Sequence, residues 1–214
     1  MPATKYDGWW VNLNTWFLTT DVRRFNPERN QIDNMNTMYD FFIKQGWTPN
    51  AIAGMLGNVM VESSVNPWMF QSGIDWSDPS AIIADTRGMG LTQWTPSRKY
   101  YQWALDENKD PKSGTTMCER IMWEYHNNKQ WSLENYGQHT WEDFVTSTEE
   151  PWILADVWLW AYERPSSPDE EQRWANAEWV FEHIYGTGMK IPFMVSFYRQ
   201  NLLRKVGKRR CLRV

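Results

Sequence analysis

Glu62 lies near the end of the segment TPNAIAGMLGNVMVESSVNP, in surroundings that suit acid chemistry. At about 100° per residue, Ile52, Met55, Leu56, Val59 and Ser63 share one helical stripe, and Glu62 sits on its edge, about 20° from Met55. Pro67 disfavours helix at Asn66, so Glu62 falls in the last turn. Apolar surroundings and the negative end of a helix dipole both oppose ionisation of a carboxyl. A carboxyl that keeps its proton near neutral pH is a general acid. A surface glutamate at a stripe edge would occupy the same position without any such role. Two further blocks hold groups that would suit a sugar polymer. In RGMGLTQWTPSRKY, Gly88 and Gly90 permit close backbone approach, and Gln93 with Trp94 offers an amide and a ring. LWAYERPSSP places Tyr162, Glu163 and Arg164 at a helix end, where Glu163 and Arg164 read mainly as an ion pair fixing that end. Trp68 and Trp94 are candidate sugar platforms, with packing an equal alternative for each. Cleaving a glycosidic bond normally needs a second carboxylate. The candidates are Asp75, Asp78 and Asp85, residues that also commonly form turns.

The elements that must position these groups are marked by their caps. Thr48-Pro49, Thr95-Pro96 and Ser167-Pro168 each put a hydroxyl before a proline, predicting helices over 49–64, 96–107 and 168–185, the last stopped by Gly186. Thr116 with Glu119 reads as a capping box for a helix to Asn128, and Thr148-Glu-Glu-Pro opens another that ends before Pro165. Met35, Met38, Tyr39 and Phe42 give a helix over 32–45. Between Pro67 and Trp94 the pattern breaks into loop with a short hairpin. The expectation is a mainly α domain over 32–186 with a long loop or short β-hairpin region after the acid-bearing helix. It is flanked by an irregular, aromatic arm over 1–31 and a basic tail over 187–214.

Composition narrows the function classes. The 214 residues include 16 Trp, 9 Tyr and 9 Phe, dense enough for core, interface or flat platforms for sugar rings. The net charge of −4 is uneven: 187–214 hold eight basic and no acidic side chains, so 1–186 carry 14 basic against 26 acidic, a net of −12. An acidic body argues against nucleic-acid binding. Cys118 and Cys211 are too few for a disulfide framework. His126, His139 and His183 form no HxxxH or HExxH pair, so no metal or other cofactor is expected. The apolar stretches Trp152–Trp160 and Ile191–Tyr198 are too short to span a membrane. The N-terminus lacks a signal-peptide pattern, so synthesis in a cytosol without a signal peptide is expected.

Taken in order, GWTPNAIAGMLGNVMVESSVNP, the GMGLTQWTP block and YERP resemble the phage tail lysozyme family of the lysozyme-like superfamily. The likeness is greatest to the lysozyme domain of podophage tail-knob proteins. It covers roughly Ile32 to Gly186 and implies a lysozyme-like fold. It also implies cleavage of the β-1,4 glycan backbone of peptidoglycan, by hydrolysis or by lytic transglycosylation. By position Glu62 matches the family's catalytic acid and Gln93 the groove-lining glutamine. Tyr162 matches a tyrosine that in related transglycosylases touches the sugar near the acid, and Trp94 adds a ring. The implied setting is a virion tail tip or knob acting on the host wall during genome entry, among other tail proteins. A free endolysin and a non-catalytic glycan-binding tail component are the competing readings. Residues 187–214 follow the matching region. Phe193, Met194, Phe197, Tyr198 and Leu203 are set among cations there, which suits docking to a partner, folding back on the acidic body, or contact with membrane or teichoic acid.

Overall fold

The computed structural model describes residues 3–12, 29–71, 76–134 and 139–185, and the basic tail, Asp75 and most of the 1–31 arm lie outside them. The described residues are mainly helical. Hairpin strands β1 (Thr4–Tyr6) and β2 (Trp9–Val11) are followed by α1 (Arg29–Lys44), α2 (Pro49–Ser63), α3 (Pro79–Ala84), α4 (Arg98–Asp106) and α5 (Gly114–His126). Next come α6 (Trp141–Thr146), α7 (Pro151–Trp158), a π-helical turn over Leu159–Glu163, α8 (Glu170–Val180) and a second π-helical segment over Phe181–Tyr185.

Helix α2 is the axis of the fold. Thr48 Oγ1 accepts from Ala51 N and Pro49 opens the first turn, as the cap pattern requires. The helix ends at Ser64, which takes a left-handed conformation with φ 54°. Residues Ala51–Met60 are all buried, so the helix is enclosed on every side rather than along one stripe. Its neighbours are α7, α8 and α1. Two glycines make that enclosure possible. A Cβ at Gly54 would lie 2.7 Å from Leu154 Cβ, and one at Gly57 would lie 2.6 Å from the Arg173 carbonyl oxygen. Burying Ile52, Met55, Leu56, Val59 and Met60 stabilises this packing by about 1.5–3 kcal/mol per side chain.

Much of the tryptophan is core. Trp47 packs against Phe42, Trp141, Phe144 and Trp158 with ring centroids 4.6–6.3 Å apart. Trp9 is also enclosed, because the N-terminal residues that look irregular in sequence form a hairpin. Asp7 and Gly8 supply the two positive-φ turn positions, which pair Tyr6 with Trp9 and Thr4 with Val11. Asn34 of α1 holds the hairpin, accepting from Trp10 N at 2.9 Å and donating to Trp10 O at 2.8 Å.

Several helix starts differ from expectation. Thr95 Oγ1 donates to Gln93 O instead of capping, and α4 begins at Arg98 after Ser97. Helix α8 starts at Glu170 behind Asp169, whose φ is 46°, so Ser167 is not its cap. Ser113, not Thr116, caps α5, by accepting from Thr115 N. Helix α7 does open on the Thr148-Glu-Glu-Pro segment, with Glu150 ahead of Pro151. Two short helices appear where none is expected. Asp78 and Pro79 open α3, and a Thr140–Asp143 capping box opens α6. In place of the expected hairpin, the described residues of the loop after α2 show isolated bridges, Phe70 with Met89 and Met89 with Trp94.

Candidate active site

The end of α2, the loop over 88–94 and the π-helical turn over 159–163 meet at one place. Ser63 Oγ reaches Leu91 O at 2.8 Å and ties the helix end to the loop. The loop doubles back on the chain after α2: Gly90 N donates to Met69 O at 2.8 Å, and Gln93 Nε2 to Gly90 O at 2.9 Å. Gly90 (φ 76°) and Gln93 (φ 50°) both occupy the left-handed region. A Cβ at Gly90 would press on Met117 and on the Trp94 ring, so both space and conformation call for glycine there.

Glu62 stands at this junction with its side chain 17% exposed. Its Oε1 accepts from Arg173 Nη2 at 2.7 Å. Arg173 belongs to α8 and is itself only 2% exposed. Its Nη1 donates to Asn58 Oδ1 at 3.0 Å and its Nε to Pro168 O at 2.7 Å. Asn58 is held in turn, with Nδ2 donating to Gly54 O and Ala155 O at 3.0 and 2.9 Å.

A second carboxyl belongs to the π-helical turn. Glu163 is half-buried and its Oε1 accepts from Trp158 Nε1 at 2.9 Å. Loss of water around this carboxyl, and then the neighbouring Glu62 charge, push it well above the ordinary carboxylate range. The Trp158 hydrogen bond and Arg173 act the other way. The helix-end ion pair expected between Glu163 and Arg164 is replaced by a different arrangement. Arg164 takes a left-handed conformation (φ 51°) and donates to the backbone oxygens of Ala161 and Gln130. Its guanidinium closes the turn through carbonyls, and Glu163 is turned toward Trp158.

Beneath the junction lies a third carboxyl, Glu124 of α5, 1% exposed. It accepts from Arg120 Nε at 2.9 Å, Trp94 Nε1 at 3.1 Å and the Tyr162 hydroxyl at 2.5 Å. Burial raises its pKa, opposed chiefly by the Arg120 charge. The Arg120 guanidinium also covers the Trp103 and Trp123 rings at 5.1 and 4.4 Å. Glu124 therefore clamps the Gly-rich loop to the π-helical turn from inside.

Two expected substrate contacts are corrected by this arrangement. Tyr162 is 0% exposed and its hydroxyl is engaged by Glu124, so it has no face for a sugar. Trp94 is 3% exposed and stacks on Tyr100 at 4.8 Å, making it a buried strut rather than a platform. Gln93 is half-buried within the loop. Trp68 is half-buried between Tyr6 and Trp76, with Nε1 donating to Lys112 O at 2.9 Å.

Of the three aspartates considered as a second carboxylate, Asp75 lies outside the described residues. Asp78 caps α3 by accepting from Ala81 N. Asp85 is gripped by Arg87, whose hydrogen bonds bring it down to about 2. Both described aspartates do turn and cap work. Sequence reasoning missed Arg173, Asn58 and Glu124, and assigned Glu163 to the wrong partner. No group of three or more His, Cys, Asp and Glu among the described residues is placed to hold a metal ion. No helix among them is long and apolar enough to cross a membrane.

Morphogenesis protein 1 of Bacillus phage B103 is 37% identical over 155 residues, which cover 72% of this chain and 40% of that relative. The chain thus aligns with less than half the length of that relative. The sequence profile of the phage tail lysozyme family matches residues 33–184, a span that includes α2, the Gly-rich loop, the π-helical turn and α8. This mainly helical, lysozyme-like chain belongs to the phage tail lysozyme family.

Proposed function

We propose that the protein is a virion-associated glycosidase that cuts the β-1,4 glycan backbone of peptidoglycan during genome entry, with Glu62 as general acid. The observation that carries this reading is the placement of Glu62. It is a part-exposed carboxyl at the C-terminal end of the central helix, where the Gly-rich loop and the π-helical turn converge. Protonating the leaving oxygen is the step such a group performs. Gln93, half-buried in the same loop, is the residue assigned to hold the glycan. The phage morphogenesis relative supports association with other phage proteins and a place in the particle.

Lysis of Gram-positive cell walls tests the reading. Glu62→Gln is expected to lower the lytic rate by about 10²–10⁴ with the circular-dichroism spectrum unchanged. A folded Glu62→Gln protein with full activity would reject Glu62 as the acid. Mass spectrometry of the soluble products separates the two chemistries: reducing ends mark hydrolysis and anhydro-muramic ends mark transglycosylation.

A further inference from the structure

Arg173 lies 111 residues from Glu62 in sequence and belongs to no block that carries the family resemblance. Its guanidinium reaches the end of α2 through a fully specified path. Nε is taken by Pro168 O, Nη1 by Asn58 Oδ1 and Nη2 by Glu62 Oε1, so the planar fork has one permitted orientation. The path is short because α8 lies directly against Gly57, with Asn176 Nδ2 also donating to Gly57 O at 3.3 Å.

We propose that Arg173 is a positioning residue for the glycosidic reaction, fixing the rotation of the Glu62 carboxyl so that the reacting proton resides on Oε2. This rests on the reading of Glu62 as the acid. A guanidinium only donates, so the oxygen it holds at 2.7 Å has its lone pair directed at an N–H. The oxygen left to carry and deliver a proton is Oε2. In the forward step that proton passes from Oε2 to the leaving glycosidic oxygen as the C–O bond breaks. The carboxylate left behind is then held by Arg173 with its charge balanced. Glu163, the neighbouring carboxyl, accepts from Trp158 Nε1 at 2.9 Å and takes none of the three Arg173 hydrogen bonds.

The test uses the full chain and soluble peptidoglycan oligosaccharides, so that turnover and affinity are read separately. Arg173→Ala is expected to lower kcat by about 100-fold, the cost of misplacing a reacting group by about 1 Å, with KM within about twofold of the native value. Added guanidinium ion at millimolar concentration should restore part of the rate by refilling the vacated site, whereas sodium chloride at the same concentration should not. A folded Arg173→Ala with native kcat overturns the proposal, and so does a loss that appears only in KM or that guanidinium fails to rescue. Should Arg173→Ala not fold, Arg173→Lys keeps the charge without the fork. It is expected to lower kcat as well, and native turnover in that variant would overturn the proposal. Glu62→Gln in the same assay separates the two ideas. If it is inactive while Arg173→Ala is fully active, only the positioning role fails; if it is active, the acid assignment itself fails.

Discussion

Tyr162→Phe distinguishes a buried strut from a substrate contact. The change removes one hydroxyl and leaves the ring, which packs against Trp158 at 4.2 Å and Trp141 at 5.7 Å, so no cavity of consequence opens. What is lost is the 2.5 Å hydrogen bond to Glu124 Oε2, while Arg120 and Trp94 keep their hold on Oε1. A hydrogen bond to a charged buried group contributes about 1.5–3 kcal/mol, so a destabilisation of about 2 kcal/mol is expected. In a chain of this size that lowers Tm by roughly 4–8 °C. The loss should also depend on pH. The Tyr162 hydrogen bond favours the ionised form of Glu124, whose folded-state value burial has raised. Stability linked to Glu124 is therefore complete in acid and lost as pH rises through that raised value, and removing the hydroxyl enlarges the loss. The gap between the two Tm curves should widen from pH 4 toward pH 8. Lytic rate measured well below Tm should stay within about twofold of native, because a side chain with no exposed surface makes no transition-state contact. A rate loss of tenfold or more with Tm unchanged would refute the reasoning and return the hydroxyl to the substrate.

Glu178 offers a second titration. Burial, and then the charges of Glu150 and Glu182, push it up to about 7 against the Trp152 N–H that it accepts. A raised carboxyl contributes fully below its unfolded value and loses that contribution as pH climbs to about 7. Glu178→Gln should therefore flatten the fall of Tm between pH 4.5 and 7 by an amount worth about 3 kcal/mol, and superimposable native and mutant pH curves would contradict this. Gly57→Ala should force α8 outward, since its Cβ would lie 2.6 Å from Arg173 O. The overpacking is expected to cost about 1–3 kcal/mol, and the folded fraction should be less active, whereas a variant with native Tm and native lytic rate would show that the helix crossing has slack.

How much of this was legible in the sequence follows from the range of each interaction. The Thr48-Pro49 start of α2 and the position of Glu62 in its last turn depend on neighbours within a few residues, and local pattern found both. The Asp7-Gly8 turn and the Thr140–Asp143 capping box are equally local signals that reading for long periodic segments passed over. Thr95, Thr116 and Ser167 failed as caps for a physical reason. A hydroxyl before a helix satisfies its first N–H groups only if the backbone turns at that residue, and tertiary packing placed the turn elsewhere. The larger errors were at long range. Tyr162 and Trp94 look like a hydroxyl and a ring free for a ligand until Glu124, 38 and 30 residues away, takes both. Nothing in the spacing of Glu124 announces a buried acceptor, because its apolar neighbours on α5 read only as core. Arg173 was hidden in the same way. An arginine in the first turns of a helix with an acidic start reads as a surface cation, and its burial depends on Gly57, 116 positions earlier, having no side chain. The acid was legible because the turn of α2 alone puts it at a helix end, whereas the residue that orients it needed two helices already packed.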